Sequence, residues 1–324
     1  MFRLPLFGLV VPFFFSFADV PTEFIPLKQS EIVPKTSKLE KLWSGGKFTE
    51  GPTPDAQGNI LFTDIPKNQI MKYDHKNGKV SLFKENSNGA NGLCFKDGRL
   101  YSCEGAKLQY ASVAYSDPSG KKVVLVDSYM GKKLNSPNDL VITSRDDIYF
   151  TDPRYGSMKG IELGFEGIFL IRDKKIILAT KETERPNGIL ISHDEKYLFI
   201  ADNNNQPGGA RTLLKFDIQE DGTLANKKIL FSFKDSQRGM DGMAMDSEGN
   251  IYATAGKRKD SGIYVFSPGG KHLAFIELPD IPTNCAFGGP GEKDVLYITA
   301  QAERQPHENK SFGLFRIKLN KSRK

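Results

Sequence analysis

Six segments of the chain begin with a carboxylate or amide side chain, which is followed by an apolar strand, a polar turn and a second apolar strand. The first residues of these segments are Glu50, Asn91, Asn138, Asn187, Asp241 and Asn284. If the six side chains converge, their oxygen atoms form a ring suited to a hard divalent cation, which takes about six to eight oxygen ligands. Zinc prefers Cys or His, and none of the four histidines occupies a ring position. Calcium is therefore the leading candidate.

The same residue types also occur in ordinary turns. Asn-Gly, Asn-Asp and Asp-Gly favour turn conformations and hydrogen-bond their own neighbours. For a single segment this explanation would be sufficient. Six recurrences at spacings of 41 to 54 residues favour a shared functional position instead.

The strand pattern predicts how these positions are brought together. Residues 138–152, NDLVITSRDDIYFTD, read as a β-hairpin, and further strands follow in most units, such as QIMKYD, GIFLIR and GIYVFSP. Four short strands in a unit of about 40 to 50 residues are typical of a propeller blade. The sequence therefore predicts an all-β fold, a six-bladed β-propeller of four-stranded antiparallel blades over residues 41–320. The innermost strands would line a channel, and the six ring positions would meet at one end of it.

The two ends of the chain differ from this pattern. Residues 1–18 combine Arg3, an apolar run and small residues before Asp19, which predicts a cleaved signal peptide and a periplasmic or secreted protein. The alternative is a membrane anchor, but the run is shorter than the roughly 20 residues that span a bilayer. We expect no stable membrane association after cleavage. The extension at 19–40 and the basic tail at 321–324 are predicted to be poorly held, whereas residues 39–44 could form the outer strand of the last blade.

Charge and cysteine content exclude several classes of function. The formal net charge is +6, but the basic residues are scattered, so a nucleic-acid-binding stripe is not supported. An odd number of cysteines predicts buried thiols rather than a bridge between Cys94 and Cys103. No zipper or exposed amphipathic helix is evident, and we expect a monomer.

Several motifs resemble one family of propeller proteins. They are FTEGP at 48–52, LNSPNDLV at 134–141 with YFTDPRYG at 149–156, RPNG at 185–188 and MDGMAMDSEGNIYAT at 240–254. Together they resemble the gluconolactonase and senescence marker protein family, especially its bacterial branch, over nearly the whole chain after about residue 42. The resemblance implies a sugar-lactone hydrolase with a small-molecule substrate.

The resemblance also implies a set of metal ligands. The family holds its metal with a Glu of the EGP motif, an Asn of the fourth blade and an Asp of the fifth, often with an Asn of the third. The matching residues are Glu50, Asn187, Asp241 and Asn138. Asp241 is further predicted to be the catalytic base, which takes a proton from the attacking water and returns it to the ring oxygen.

Substrate contacts are predicted at Asn91, Glu104, Asn138 and Arg154. Animal members place an Arg two residues before the third-blade Asn, where this chain has Ser136, so that contact does not carry over. Asn91 and Glu104 are expected to face the channel together from the blade without a proposed metal ligand. Arg154 stands in the DPRYG segment near the rim, where it either binds an acidic sugar or remains solvated.

Two other classes of function remain open. The same fold could hydrolyse another ester or a phosphoester, because propeller chemistry depends on the rim loops. It could also be a non-catalytic propeller that binds a partner. The absence of a GxSxG motif argues against a covalent acyl-enzyme of the usual hydrolase kind.

Overall fold

The computed structural model describes residues 26–105, 110–234, 237–304 and 310–324; the predicted signal peptide lies outside them. Within these ranges six four-stranded antiparallel sheets confirm the six-bladed propeller. Blade one contains β2 (Thr49–Pro54), β3 (Ile60–Asp64), β4 (Gln69–Asp74) and β5 (Lys79–Glu85). Blade two contains β6 (Leu93–Lys96), β7 (Arg99–Glu104), β8 (Ser112–Ser116) and β9 (Lys122–Val126). A small ribbon follows, made of β10 (Ser128–Tyr129) and β11 (Lys132–Lys133).

The remaining blades repeat the same order from the inside outward. Blade three contains β12 (Leu140–Ile142), β13 (Ile148–Asp152), β14 (Gly167–Arg172) and β15 (Lys175–Thr180). Blade four contains β16 (Pro186–Ile191), β17 (Tyr197–Asn203), β18 (Arg211–Ile218) and β19 (Leu224–Ser232). Blade five contains β20 (Met240–Met245), β21 (Ile251–Ala255), β22 (Gly262–Phe266) and β23 (His272–Glu277).

Blade six closes the ring by joining the two ends of the domain. From the inside outward its strands are β24 (Pro282–Phe287), β25 (Val295–Gln301), β26 (Phe312–Lys318) and β1 (Glu40–Gly46). Trp43 of β1 pairs with Leu314 of β26, which confirms the strand predicted around residues 39–44. The six inner strands contact one another in a closed circle, from β2 through β6, β12, β16, β20 and β24 back to β2. Closure in this way leaves only short inner edges, which face the channel and are protected inside the ring.

The hydrophobic core lies between the blades. The described residues form six apolar clusters, one at each interface of neighbouring blades. Side chains alternate along a strand, so Phe150 packs toward blade two whereas Tyr149 packs toward blade four. Because both faces of a blade are covered, the second strands are continuous apolar runs rather than alternating ones.

Both terminal segments are held, so the prediction of poorly held tails is wrong for the described residues. A short helix, α1 (Gln29–Ile32), packs against blades five and six, and Ile32 is 1% exposed. The backbone N–H of Ser247 donates to the carbonyl oxygen of Ser322 at 2.7 Å. Two further helical turns are 3-10 helices at Ile65–Lys67 and Arg258–Asp260. In the described ranges no helix is long and apolar enough to cross a membrane.

The three cysteines are free; the prediction of buried thiols is confirmed for Cys103 and Cys285, whereas Cys94 is half-buried. Cys94 pairs across the hairpin with Tyr101. Cys103 therefore lies diagonally opposite Cys94, which is the reason that no bridge forms. Burial raises the pKa of Cys94 to about 12, so this thiol stays protonated and unreactive at neutral pH.

Candidate active site

One end of the central channel opens into a cavity of about 1040 Å³. Five of the six ring residues line it: Glu50, Asn91, Asn138, Asn187 and Asp241. All five are buried, with exposed fractions between 4% and 8%. The convergence expected from the repeats is therefore present for these five side chains.

The prediction is wrong for Asn284, the sixth ring residue. It does not line this cavity, although its side chain hydrogen-bonds Glu50; it lines a smaller cavity farther along the channel. Gly242 of the neighbouring inner strand leaves the room that it occupies, since a Cβ atom on Gly242 would lie 1.9 Å from the Asn284 Cγ. From there the Asn284 Nδ2 donates to the Asp139 Oδ2 at 3.4 Å. Blades three and six face each other across the ring, so this hydrogen bond crosses the axis and forms a floor beneath the cavity.

Threonines near the ends of second strands fix the backbone of the ring. The Oγ1 of Thr63 donates to the carbonyl oxygen of Asn91 at 3.1 Å, and that of Thr151 donates to the carbonyl oxygen of Asn187 at 2.6 Å. Each bond joins one blade to the ring residue of the next. The threonine of the repeated FTD pattern thus links neighbouring blades by a hydrogen bond.

Aspartates that follow these threonines hold the loops that lead into the inner strands. Asp64 accepts hydrogen bonds from the backbone N–H groups of Lys47 and Phe48. Asp152 accepts from Asn135 and Ser136 in the same way. These carboxylates therefore position the ring residues from behind and do not face the cavity.

The electrostatics of the site are dominated by buried carboxylates. Burial raises the pKa of Glu50 well above its usual range, and the negative charges of Asp241 and Asp139 raise it further. Burial also raises the pKa of Asp139, to about 7. Negative charges that are close together and shielded from water repel one another, and a bound cation would reduce this electrostatic repulsion.

The analysis of repeats missed two side chains at the site. Arg238 forms an ion pair with the Asp241 Oδ2, and its Nη1 donates to the carbonyl oxygen of Pro282 at 2.8 Å. The Tyr155 hydroxyl accepts a hydrogen bond from the Asn187 Nδ2 at 2.9 Å. Neither residue starts a repeat. The available signals were the nearness of Arg238 to Asp241 in sequence and the position of Tyr155 inside the DPRYG segment.

The family model SMP-30/Gluconolactonase/LRE-like region matches residues 48–302. The chain belongs to this family. Gluconolactonase from Zymomonas mobilis is 30% identical and aligns with 90% of this chain and 86% of its own length. Regucalcin from Xenopus laevis is 24% identical, over 84% of this chain and 90% of its own. A gluconolactonase structure from Xanthomonas campestris superposes with a TM-score of 0.76 at 24% identity, covering 91% of this chain and 94% of that one.

Because the chain belongs to this family, the four residues at the family's ligand positions are the first to be considered for a metal site. They are Glu50, Asn138, Asn187 and Asp241. The donor set is two carboxylates and amides; no group of three or more His, Cys, Asp or Glu residues occurs among the described residues. The Asn187 nitrogen is engaged by Tyr155, so its amide oxygen faces another direction. The buried Asn91 Oδ1 accepts no hydrogen bond from any described residue. The Asn91 oxygen is therefore available to a ligand in the cavity. Two repelling carboxylates beside amide side chains fit a hard cation.

Two predicted substrate contacts have different outcomes. Glu104 does not line the cavity: it pairs with Lys122 and accepts hydrogen bonds from Ser102 and Ser112, so the expectation that it faces the channel with Asn91 is wrong. The reason is that an outer strand of the same blade supplies a lysine for it. Arg154 does line the cavity.

Proposed function

We propose that this chain is a calcium-dependent hydrolase that opens a small sugar lactone. Its family supports the reaction class, and the name of the Zymomonas relative suggests gluconolactone as a model substrate. The observation that carries the proposal is the convergence of Glu50, Asp241 and three amides in one cavity. A propeller serving only as a scaffold would not need two buried carboxylates at its axis.

Glu50, Asn138, Asn187 and Asp241 are the side chains that would hold the cation. Their oxygen donors favour calcium or another hard divalent ion over zinc. When bound, the ion would supply Lewis-acid polarisation of the lactone carbonyl. Asn91, which has no proposed role as a ligand, is left to contact the substrate from the second blade.

Asp241 is the proposed catalytic base. It accepts a proton from the attacking water, whose oxygen bonds to the carbonyl carbon as the ring C–O bond breaks. The proton then passes to the ring oxygen, and the product is an open-chain hydroxy acid. Burial raises the pKa of Asp241 and strengthens it as a base, whereas the positive charge of Arg238 opposes that rise. Arg238 also fixes the orientation of the carboxylate through its ion pair.

The deciding experiment is a pH-stat assay over aldonolactones, aryl esters and phosphotriesters, with and without chelator. We expect opening of at least one aldonolactone at a rate well above spontaneous hydrolysis. Turnover of aryl esters or phosphotriesters alone would contradict the lactone assignment. No turnover of any substrate in the presence of calcium would contradict the assignment as an enzyme.

Removal of the metal should abolish activity. Exhaustive treatment with EDTA is expected to eliminate lactone hydrolysis, and added calcium should restore it. Calcium should also raise the melting temperature, because a ligand that binds only the native state stabilises it. Full activity in protein shown to be metal-free by elemental analysis would refute the metal assignment.

The proposed location is the periplasm or the exterior of the cell. Protein recovered from its own host is expected to begin at or near Asp19, because signal peptidase would cleave after the small residue Ala18. Amino-terminal mass mapping checks this. An intact Met1 on cytosolic protein would overturn it.

A further inference from the structure

Arg154 is held at the cavity wall by backbone groups rather than by a carboxylate. Its Nε donates to the carbonyl oxygen of Ser157 at 2.9 Å, its Nη1 to that of Asn135 at 2.8 Å and its Nη2 to that of Lys159 at 3.4 Å. These bonds use three of the five N–H groups of a guanidinium. One N–H on each terminal nitrogen remains, which is the pair that a guanidinium offers to a carboxylate or phosphate.

Neither nearby acidic side chain forms an ion pair with Arg154. Asp152 interacts with its charge at longer range, but its carboxylate accepts hydrogen bonds from the backbone N–H groups of Asn135 and Ser136. Glu166 accepts the backbone N–H of Arg154 at 2.9 Å, but its carboxylate pairs with the guanidinium of Arg185. Among the described residues, no carboxylate lies within ion-pair distance of the Arg154 guanidinium. The positive charge is therefore oriented by the fold before any ligand arrives, which reduces the entropic cost of binding.

The cavity lining also contains other cationic side chains. Besides Arg154, its described lining includes the cationic side chains of Lys47, Arg238 and Lys257 and the two carboxylates of Glu50 and Asp241. A divalent cation on those two carboxylates would cancel their charge and leave the cationic side chains in excess. A concave surface with one sign of charge concentrates ligands of the opposite sign.

We infer that the substrate is a lactone that carries an additional anionic group, a carboxylate or a phosphate, and that Arg154 binds this group. The inference rests on the proposed lactonase function and refines its substrate class. Arg154 acts here as a specificity residue, remote from the bond that is broken. A carboxylate and a phosphate can both accept hydrogen bonds from a guanidinium. Matched substrates distinguish which of the two Arg154 binds.

The experiment compares two pairs of lactones in which one member carries an anionic group at C6 and the other carries a hydroxyl group there. D-galactaro-1,4-lactone is paired with D-galactono-1,4-lactone, and 6-phosphoglucono-1,5-lactone with glucono-1,5-lactone. Values of kcat/KM are measured with calcium for the native protein and for Arg154→Gln. The matched control is Arg145→Gln, an exposed arginine in the β12–β13 turn of the same blade and outside the cavity.

We expect the native protein to prefer the anionic member of one pair by about tenfold or more, since a hydrogen bond to a charged group contributes a factor of roughly 10 to 100. Arg154→Gln should remove that preference, because kcat/KM for the anionic member falls by a larger factor than kcat/KM for the neutral member. Arg145→Gln should keep it. No preference in either pair, or an equal loss for both members in Arg154→Gln, would overturn the inference.

Binding of the open-chain acids separates this inference from the proposed function. Calorimetry with calcium-loaded protein compares galactarate with galactonate, and 6-phosphogluconate with gluconate. If no lactone is opened, the proposed function fails, yet tighter binding of a doubly charged acid that is lost in Arg154→Gln would uphold the anion site. Equal binding of the acids with two anionic groups and of their counterparts with one would overturn the site as well.

Discussion

Asp241→Asn should remain nearly inactive even at saturating calcium, whereas Glu50→Gln should recover much of its rate. Both carboxylates line the cavity and both are proposed ligands, but only Asp241 is proposed to move a proton. Asparagine keeps one ligand oxygen and removes the base, and loss of a general base costs about 10²- to 10⁴-fold in rate. Glutamine at position 50 removes the same charge from the ligand set without removing the base. Its loss should arise from weaker calcium binding.

The measurement is a calcium titration of kcat for each variant, with folding checked by circular dichroism. Arg238→Gln is the control for the ion pair. Because Arg238 lowers the pKa of Asp241, its removal should shift the acidic limb of the pH–rate profile to higher pH. Equal rescue of both carboxylate variants by calcium would make Asp241 only a ligand. Rescue of neither would show that each carboxylate does more than hold the ion.

Gly188→Ala should damage both stability and activity. Gly188 follows Asn187 in the inner strand of blade four, and a Cβ atom there would lie 2.3 Å from the backbone carbonyl oxygen of Asp241. Backbone cannot rotate away as a flexible side chain can, so blades four and five must separate. We expect a loss of about 1–3 kcal/mol in the free energy of unfolding. Because this displaces Asn187 from Asp241, kcat/KM should fall by about tenfold to a hundredfold.

Urea denaturation at fixed calcium, together with lactone kinetics, tests this expectation. Gly269→Ala is the matched control: the nearest atom to its new Cβ would be the Ser267 Oγ at 3.9 Å, and its φ is not positive. That variant should match the native protein within about 0.5 kcal/mol, as surface substitutions usually do. A Gly188→Ala protein with native stability and rate would show that the inner strands tolerate separation.

The sequence by itself determined the propeller and most of its active end. Alternation along short strands is a local property, and its recurrence requires each unit to bury two faces against neighbours. The ring position follows from that recurrence, so Glu50, Asn91, Asn138, Asn187 and Asp241 could be assigned to one cavity before any coordinates. The closing strand around Trp43 also followed, because a propeller needs its last blade completed.

The tertiary structure alone decided where each polar side chain points. Asn284 shares the repeat with the other ring residues, yet it turns toward Asp139 because Gly242 of an adjacent blade leaves space for it. Glu104 pairs with Lys122, which lies 18 residues away in sequence. Arg238 reaches Asp241 from outside the repeated pattern. Side-chain direction depends on the volume and charge supplied by other strands and loops, and the periodicity of a single strand carries no information about either.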